Sequence, residues 1–199
     1  GVLALREQIA LKIARSYGCR VDPEAQVTVV PGATEAIFCA IMATVGAGDE
    51  VILFDPSYDS YEPSVRLAGG RAVRIPLLPP DFAIDWQRVA GAVTPRTRMI
   101  VINSPHNPTG SVLAAADLDS LEELVQRHGL LVLSDEVYEH LVYDGAAHHS
   151  VLARPALAER AFAVFSFGKT YHATGWKTGY CVAPPALMQE FRRVHQFVT

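Results

Sequence analysis

Short apolar runs alternate with amphipathic segments along almost the whole sequence. Runs of four or five β-branched and aliphatic residues predict six strands, at positions 27–30, 51–54, 72–75, 99–102, 130–133 and 161–165. Apolar residues that recur every three or four positions predict six helices, at 4–17, 36–45, 61–68, 86–93, 113–128 and 186–198. This alternation predicts an α/β fold, a three-layer α/β/α domain with a mostly parallel sheet and right-handed crossovers.

One predicted strand, at 130–133, is apolar on both faces, which is typical of a central strand in a parallel sheet. Polar side chains directly follow this strand and several others. Because the carboxyl ends of parallel strands meet at one edge of the sheet, we expect these side chains to converge there. The converging set is Thr34, Tyr58, Asn103, Asn107, Asp135, Tyr138, Ser166 and Lys169.

The stretch from Ser166 to Gly179 carries the most distinctive chemistry. It places Lys169 in a Ser/Gly turn just past a predicted buried strand, and a second cation, Lys177, eight residues later. A phosphate-binding P-loop is rejected because it needs a glycine where Ala163 stands. The serine β-lactamase pattern is rejected because its Ser-x-x-Lys and Lys-Thr-Gly elements are almost contiguous here.

Two interpretations of Lys169 remain. A lysine held by a buried strand can have its pKa lowered, which suits Schiff-base chemistry with pyridoxal phosphate. A solvated loop lysine is the ordinary alternative, and it describes most single lysines. Only further residues that could bind the same cofactor can distinguish these two interpretations.

The turn after the first predicted strand is Pro31-Gly32-Ala33-Thr34-Glu35, and it leads into an apolar helix. Thr34 is predicted to cap that helix, and the free N–H groups at the helix start could bind an anion such as a phosphate. An ordinary capped helix without a ligand explains the same residues.

Further strand ends carry candidate residues that also have plain alternatives. Tyr58 could stack on a flat cofactor or simply pack against its neighbours. Asn103 and Asn107 lie on a loop fixed by two prolines and a glycine, yet Asn-Pro is also a common turn former. Asp135 with Tyr138 three residues later is a cofactor-binding pattern, although Asp135 could merely cap the next helix.

Composition narrows the classes of function. The chain has 199 residues, of which 50% are hydrophobic and 19% are charged, and this fits one globular domain or most of one. The net charge is −4 and no basic run exceeds Arg192-Arg193, which argues against nucleic-acid binding. The longest apolar run, at 36–45, is shorter than the ~20 residues of a membrane span.

Cysteine and histidine usage predicts no metal site. Three scattered cysteines lack metal-ligand spacing and suit a reducing cytoplasm. The pair His148-His149 has no further ligand at metal spacing and is predicted to lie in a loop. The sequence shows no signal peptide. Because it begins with Gly1 rather than methionine, we expect it to be an excerpt of a longer protein.

Five motifs together carry a resemblance to a known family. They are PGATEA at 31–36, DPSYDSY at 55–61, NSPHNPTG at 103–110, SDEVY at 134–138, and SFGKTY with GWKTGY at 166–180. Over nearly its whole length the sequence resembles the fold-type I pyridoxal-phosphate (PLP) enzymes, specifically the class I/II aminotransferases. Within that family it is similar to the methionine aminotransferase group and to the kynurenine aminotransferases, which are also cysteine-S-conjugate β-lyases.

The resemblance implies roles for the catalytic residues. Lys169 would hold PLP as a Schiff base and, once substrate displaces it, act as the general base at the substrate Cα. Asp135 would pair with the pyridine nitrogen and keep it protonated. Tyr138 and Asn107 would hydrogen-bond the phenolic oxygen of the ring, and Asn103 would support the same loop.

The same resemblance implies the rest of the cofactor site. Tyr58 would stack on the ring. The phosphate would be bound at the helix start and on the lysine loop, by Gly32, Ala33, Thr34, Ser166 and Lys177. Many members of the family have arginine where Lys177 stands; lysine keeps the charge but lacks the bidentate fork of arginine.

The implied function is that of a PLP-dependent aminotransferase. It would move an amino group from an α-amino acid, methionine-like or aromatic, to a 2-oxo acid by ping-pong chemistry. Residues 1–199 would form the large PLP-binding domain of a cytoplasmic homodimer, without its N-terminal arm and C-terminal small domain. Because the substrate-carboxylate arginine lies in that small domain, the segment alone is expected to turn over little or no substrate. Nucleic-acid, membrane and metal partners are not expected.

Two other functions stay open on these motifs. A PLP-dependent C–S β-lyase shares the first chemical steps and then expels a β-substituent. A PLP-sensing regulatory domain, fused to a DNA-binding module, would carry the same cofactor residues. A winged-helix segment ahead of Gly1 would favour the regulator.

Overall fold

A seven-stranded sheet with helices on both faces forms the centre of the molecule. The computed structural model describes residues 1–199. Its strands are β1 Val27–Val30, β2 Glu50–Asp55, β3 Arg71–Pro76, β4 Thr97–Asn103, β5 Leu131–Asp135, β6 Ala161–Ser166 and β7 Gly179–Val182. In the order β1-β7-β6-β5-β4-β2-β3, β7 runs antiparallel to both neighbours and the other adjacent pairs are parallel. The predicted α/β fold with a mostly parallel sheet is confirmed.

Eight α-helices connect and flank the strands. They are α1 Leu3–Tyr17, α2 Ala33–Thr44, α3 Tyr61–Leu67, α4 Trp86–Ala92, α5 Ala115–His128, α6 Pro155–Ala158, α7 Phe167–Thr170 and α8 Pro185–Val198, with two 3₁₀ turns at Val151–Ala153 and Thr174–Trp176. Helices α1, α4 and α5 pack on one face of the sheet, and α2, α3 and α8 pack on the other. None of these helices has both the length and the apolar character needed to cross a bilayer.

The middle strand, β5, is buried on both of its faces. Val132 packs with α1, α4 and α5, whereas Leu131 and Leu133 pack with α2, α3 and α8. A strand between two helical layers has to be apolar at successive positions, which accounts for its unbroken apolar run. Its polar residues, Ser134 and Asp135, come only where the strand reaches the edge of the sheet.

Three short elements are not predicted, and one predicted helix begins earlier than expected. The apolar pattern does not predict β7, because four residues that begin with a glycine give no distinct alternation. Helices α6 and α7 are single turns, too short for periodicity to reveal. Helix α2 begins at Ala33, three residues before the predicted start, because the small and polar residues of the turn are already helical.

Gly179 allows the start of α2 to approach the sheet closely. A Cβ at this position would lie 2.7 Å from the carbonyl oxygen of Phe165 and 2.9 Å from the backbone nitrogen of Ala33. A side chain cannot be accommodated at those distances, so a glycine is required where β7 meets α2. The N terminus of α2 is thereby brought to the end of β6, where Ser166 pairs with Gly179.

Truncation of Leu133 tests the burial of β5 between two helical layers. The Leu133 side chain is fully buried, so Leu133→Ala should lower the free energy of unfolding by about 2–5 kcal/mol. Leu67 is 71% exposed, so Leu67→Ala should change that free energy by less than about 0.5 kcal/mol and serves as the control. Urea denaturation of the purified protein measures both, and equal effects would contradict this placement of β5.

Candidate active site

A cavity of about 230 Å³ opens at the edge of the sheet where β4, β5 and β6 end. All eleven residues that the sequence predicts for the site line this cavity: Gly32, Ala33, Thr34, Tyr58, Asn103, Asn107, Asp135, Tyr138, Ser166, Lys169 and Lys177. The remaining lining residues are Ile37, Val137, Gly168, Thr174 and Thr178. The structure therefore brings the predicted side chains together, while the role of each one stays a prediction.

Asp135 is a buried carboxylate that has no cationic partner. It is 3% exposed and forms no ion pair with any lysine, arginine or histidine of the chain. The Tyr61 hydroxyl donates to its Oδ2 at 2.6 Å, and the backbone N–H of Val137 donates to its Oδ1 at 3.3 Å. Burial raises the pKa of Asp135 to about 6 although both hydrogen bonds favour the charged form. The protein thus surrounds this carboxylate with hydrogen-bond donors but with no cationic side chain.

Asn103 joins the ends of β4 and β5. Its side-chain Nδ2 donates to the carbonyl oxygen of Asp135 at 2.9 Å, and its Oδ1 accepts from the backbone N–H of Asn107 at 2.7 Å. Both ends of the Asn103 amide are thus bonded to the protein, which suits a supporting role. Asn107 lines the cavity with its own side chain free of protein hydrogen bonds.

Lys169 lies on the single helical turn α7, not in an open turn. The Ser166 side chain caps this turn by accepting from the backbone N–H of Lys169 at 3.3 Å. The Lys169 amine makes no ion pair, and its Nζ lies 5.7 Å from the centroid of the Tyr138 ring. The close packing of α7 requires Gly168, since a Cβ there would lie 2.9 Å from Thr174 Cα. Lys169 is exposed, and its side-chain amine lines the cavity without an ion-pair partner.

The N terminus of α2 forms another wall of the cavity. Gly32 begins the turn with a φ of 86°, a conformation that favours glycine, and no side chain caps the helix. The prediction that Thr34 caps the helix is wrong, because Thr34 is already the second helical residue; its Oγ1 lies 3.2 Å from the Tyr58 hydroxyl instead. The Lys177 side chain runs past Gly32, with Cε 3.9 Å from where a Cβ would be. Uncapped N–H groups beside an ammonium favour an anion.

Tyr61 is a site residue that sequence reasoning missed. Its ring packs edge-on against Tyr58 at 5.7 Å, and its hydroxyl is the direct partner of Asp135. The signal was available, because Tyr61 closes the same motif as Tyr58 and begins α3. Burial raises the pKa of Tyr61 well above its usual value, so its hydroxyl stays a donor to the carboxylate.

Comparison with known proteins identifies the family. The profile for aminotransferase class I and II matches residues 1–199. The chain belongs to this family. Methionine aminotransferase of Escherichia coli (strain K12) is 53% identical over 199 residues, covering 100% of this chain and 52% of its own length. Kynurenine--oxoglutarate transaminase 1 of Mus musculus is 39% identical over 207 residues, covering 98% of this chain and 49% of its own length.

Solved structures of aminotransferases share the fold. A methionine aminotransferase from Escherichia coli superposes with a TM-score of 0.98 at 53% identity, over 100% of this chain and 53% of that one. An aspartate aminotransferase from Thermus thermophilus superposes with a TM-score of 0.93 at 39% identity, over 100% of this chain and 51% of that one. The chain thus spans about half the length of the aminotransferases it matches.

Class I and II aminotransferases use PLP, and the cavity offers groups that fit this cofactor. A free lysine amine can bind its aldehyde. A carboxylate without a cation can bind a protonated ring nitrogen. An uncapped helix start with a lysine beside it can bind the phosphate. The donor set of the cavity therefore fits PLP.

The Asp135→Asn variant tests how much the unpaired Asp135 carboxylate lowers the stability of the protein without cofactor. The acid keeps its proton up to a pH of about 6 when folded but loses it near its ordinary value of 3.8 when unfolded. The folded state then binds more protons, so the stability of the wild type falls as pH rises through that window. The stability of the variant does not fall in this way, so its free energy of unfolding should rise relative to that of the wild type by up to about 3 kcal/mol. Urea denaturation across the window measures the difference; a pH-independent difference would contradict the burial of an unpaired carboxyl.

Proposed function

We propose that this chain is the cofactor-binding part of a PLP-dependent aminotransferase. The enzyme would transfer an amino group from an α-amino acid to a 2-oxo acid by a ping-pong route. The observation that carries the proposal is the combination of a free lysine amine and a buried carboxylate without a cation in one cavity. Membership of class I and II aminotransferases supports the same reaction.

Each group of the cofactor would be bound by different residues of the cavity. Lys169 would bind it covalently, and Asp135 would accept a hydrogen bond from the ring nitrogen. Tyr138 and Asn107 would donate to the phenolic oxygen, and Tyr58 would lie against the ring. The phosphate would be held by Gly32, Ala33, Thr34, Ser166 and Lys177. When bound, PLP supplies an electron sink that stabilises negative charge at the substrate Cα.

Lys169 is positioned to move the proton in the reaction. Its amine lines the cavity and forms no ion pair with the protein, so no side chain would hold it away from the substrate once substrate has displaced it. We assign to it the removal of the proton from the substrate Cα. The Ser166 cap on α7 fixes the backbone from which this side chain extends.

Asp135 would hold a proton on the ring nitrogen. Because burial raises its pKa to about 6 without a partner, a cation at this position stabilises the carboxylate and is itself stabilised. The Tyr61 hydroxyl donates to Oδ2 at 2.6 Å and the backbone N–H of Val137 donates to Oδ1 at 3.3 Å, so both bonds fix the orientation of the carboxylate. Asn103 ties the carbonyl of the same residue to β4.

The relatives support a proposal for the amino donor, and the proposed assembly is that of the family. The names of two relatives, a methionine aminotransferase and a kynurenine--oxoglutarate transaminase, support a methionine-like or aromatic amino donor. We propose residues 1–199 as the large domain of a cytoplasmic homodimer, with the substrate-carboxylate arginine supplied by the other half of the protein. On this proposal, residues 1–199 in isolation should show little or no turnover.

Absorption spectroscopy of the full-length, PLP-loaded protein tests the reaction. Titration with methionine, without an acceptor, should convert the band of the lysine-bound cofactor to the pyridoxamine form, and a 2-oxo acid should restore it. Lys169→Ala should abolish the conversion, because the amine is both the covalent ligand and the base. A parallel titration uses a cysteine S-conjugate, which carries its thiolate leaving group on Cβ; release of the thiol, ammonia and a 2-oxo acid from it, with the band unchanged, would favour a C–S β-lyase instead. Absence of any such band in the wild type would contradict the proposal.

Lys177 gives a separate test of the phosphate site. Lys177→Ala removes a charged partner of the phosphate and should weaken equilibrium PLP binding by about 10–100-fold, corresponding to about 1.5–3 kcal/mol. Lys177→Arg keeps the charge and should stay within a few-fold of the wild type. Equal affinity in the wild type and in Lys177→Ala would place the phosphate elsewhere.

A further inference from the structure

Among residues 135–139, at the end of β5 and just after it, some side chains point toward the cavity and others point away from it. Asp135 and Tyr138 line the cavity, whereas Glu136 and Glu139 point away from it and are 1% and 4% exposed. Two buried carboxylates therefore lie behind the two residues that the proposed function assigns to the ring of the cofactor. Neither carboxylate has a part in that function, so their partners need an explanation.

Glu139 is bound by α1 from the opposite side of the segment. Lys12 forms an ion pair with its carboxylate, and the Tyr17 hydroxyl donates to the same oxygen. The Glu139 side chain is 2% exposed and that of Lys12 is 23% exposed. Burial raises the pKa of Tyr17 well above its usual value, so the phenol remains a donor. The helix and the site segment are joined by two charge-assisted hydrogen bonds.

The ammonium of Lys12 is enclosed by aromatic rings. Its Nζ lies 4.7 Å from the centroid of Phe165 and 5.1 Å from that of Tyr17, and 3.3 Å from the Tyr180 hydroxyl. These residues belong to β6, α1 and β7. The ammonium is held by cation–π contacts as well as by Glu139, which fixes its position more closely than a surface ion pair would.

Glu136 provides a second attachment behind the segment. Its Oε1 accepts from the Ser134 hydroxyl at 2.9 Å and from the backbone N–H of Val151 at 3.2 Å. Its Oε2 lies 2.8 Å from Nε2 of His148, whose side chain is 5% exposed. The sequence places His148 in a loop without a partner, and the structure adds this buried pairing. Glu136 thus fixes the start of the segment, close to Asp135.

Tyr138 depends on its chain neighbours for its position. Its side chain forms no hydrogen bond with the protein, and only its carbonyl is bonded, to the N–H of Leu141 at 2.7 Å. Positions 140–147 after it are mostly exposed loop. Glu139 is therefore the last buried attachment before that loop and the residue next to the Tyr138 backbone.

A buried ion pair is a weak source of stability, because desolvation of the two charges offsets their attraction. Its directional bonds are better suited to fixing geometry. We propose that the Lys12–Glu139 ion pair is a positioning device that holds the Tyr138 hydroxyl at the phenolic oxygen of the bound cofactor. This inference rests on the proposed function of the cavity.

A pH titration of the visible band of the lysine-bound cofactor tests the proposal in the full-length protein. A hydrogen bond from Tyr138 to the phenolic oxygen stabilises its anionic form, so Tyr138→Phe should raise the pKa of the band. Glu139→Gln should also raise the pKa of the band, by at least half the shift that Tyr138→Phe causes. In the Tyr138→Phe background, Glu139→Gln should cause no further shift, because the positioned hydroxyl is already gone.

Glu50→Gln is the matched control. Glu50 is also 1% exposed and bonded to Arg71 and Arg96, but it begins β2, at the end of the strand away from the cavity. This variant should lower thermal stability while leaving the pKa of the band unchanged. If Glu139→Gln fails to fold, the paired change Lys12→Met with Glu139→Leu leaves no unpaired charge and should give the same shift.

The possible results distinguish a failure of the positioning role from a failure of the proposed function. A band in the wild type that Glu139→Gln and the paired variant leave unshifted would overturn the positioning role alone. An equal shift with and without the Tyr138 hydroxyl would also overturn it, because the effect would not act through that residue. A wild type without any cofactor band would overturn the proposed function and this inference together.

Discussion

The burial of one carboxylate without a cation is the constraint on which the site depends. Asp135 ends the middle strand of the sheet, where both faces are covered, and has only a phenol and a backbone N–H as partners. A charge in that position is unfavourable until a cation arrives, and the raised pKa of Asp135 expresses this cost. On the proposed function, the ring nitrogen of the cofactor would supply that cation and its phosphate would lie at the start of α2.

The binding groups for the cation and for the anion both come from ordinary features of a parallel sheet. Strand ends deliver Asn103, Asp135 and Ser166 to one edge, and the start of α2 reaches the same edge because Gly179 leaves room for it. On the proposed function, single side chains would then supply the chemistry, with Lys169 as the amine. Behind the cavity, the Lys12–Glu139 ion pair and the Glu136–His148 contact attach the segment that carries Asp135 to the rest of the protein.

Sequence alone accounts for most of this arrangement. The unbroken apolar run in β5 and the polar residues after each strand predict the sheet and the edge at which Lys169 and Asp135 meet. The missed features depend on long-range contacts: Tyr61 reaches Asp135 across 74 positions of the chain, and Lys12 reaches Glu139 across 127. The motif that contains Tyr58 points to Tyr61 as a site residue, but no local pattern encodes which carboxylate Tyr61 or Lys12 contacts. The predicted cap at Thr34 fails for a local reason, because the helix starts two residues earlier than a cap at Thr34 requires.

The protonation state of the ring nitrogen tests the central claim most directly. The full-length protein loaded with PLP labelled with ¹⁵N at the ring would report it by NMR at neutral pH. We expect a protonated nitrogen in the wild type and a neutral one in Asp135→Asn, because only the carboxylate balances the charge of the pyridinium. A neutral ring nitrogen in the wild type would contradict the pairing with Asp135 and the account built on it.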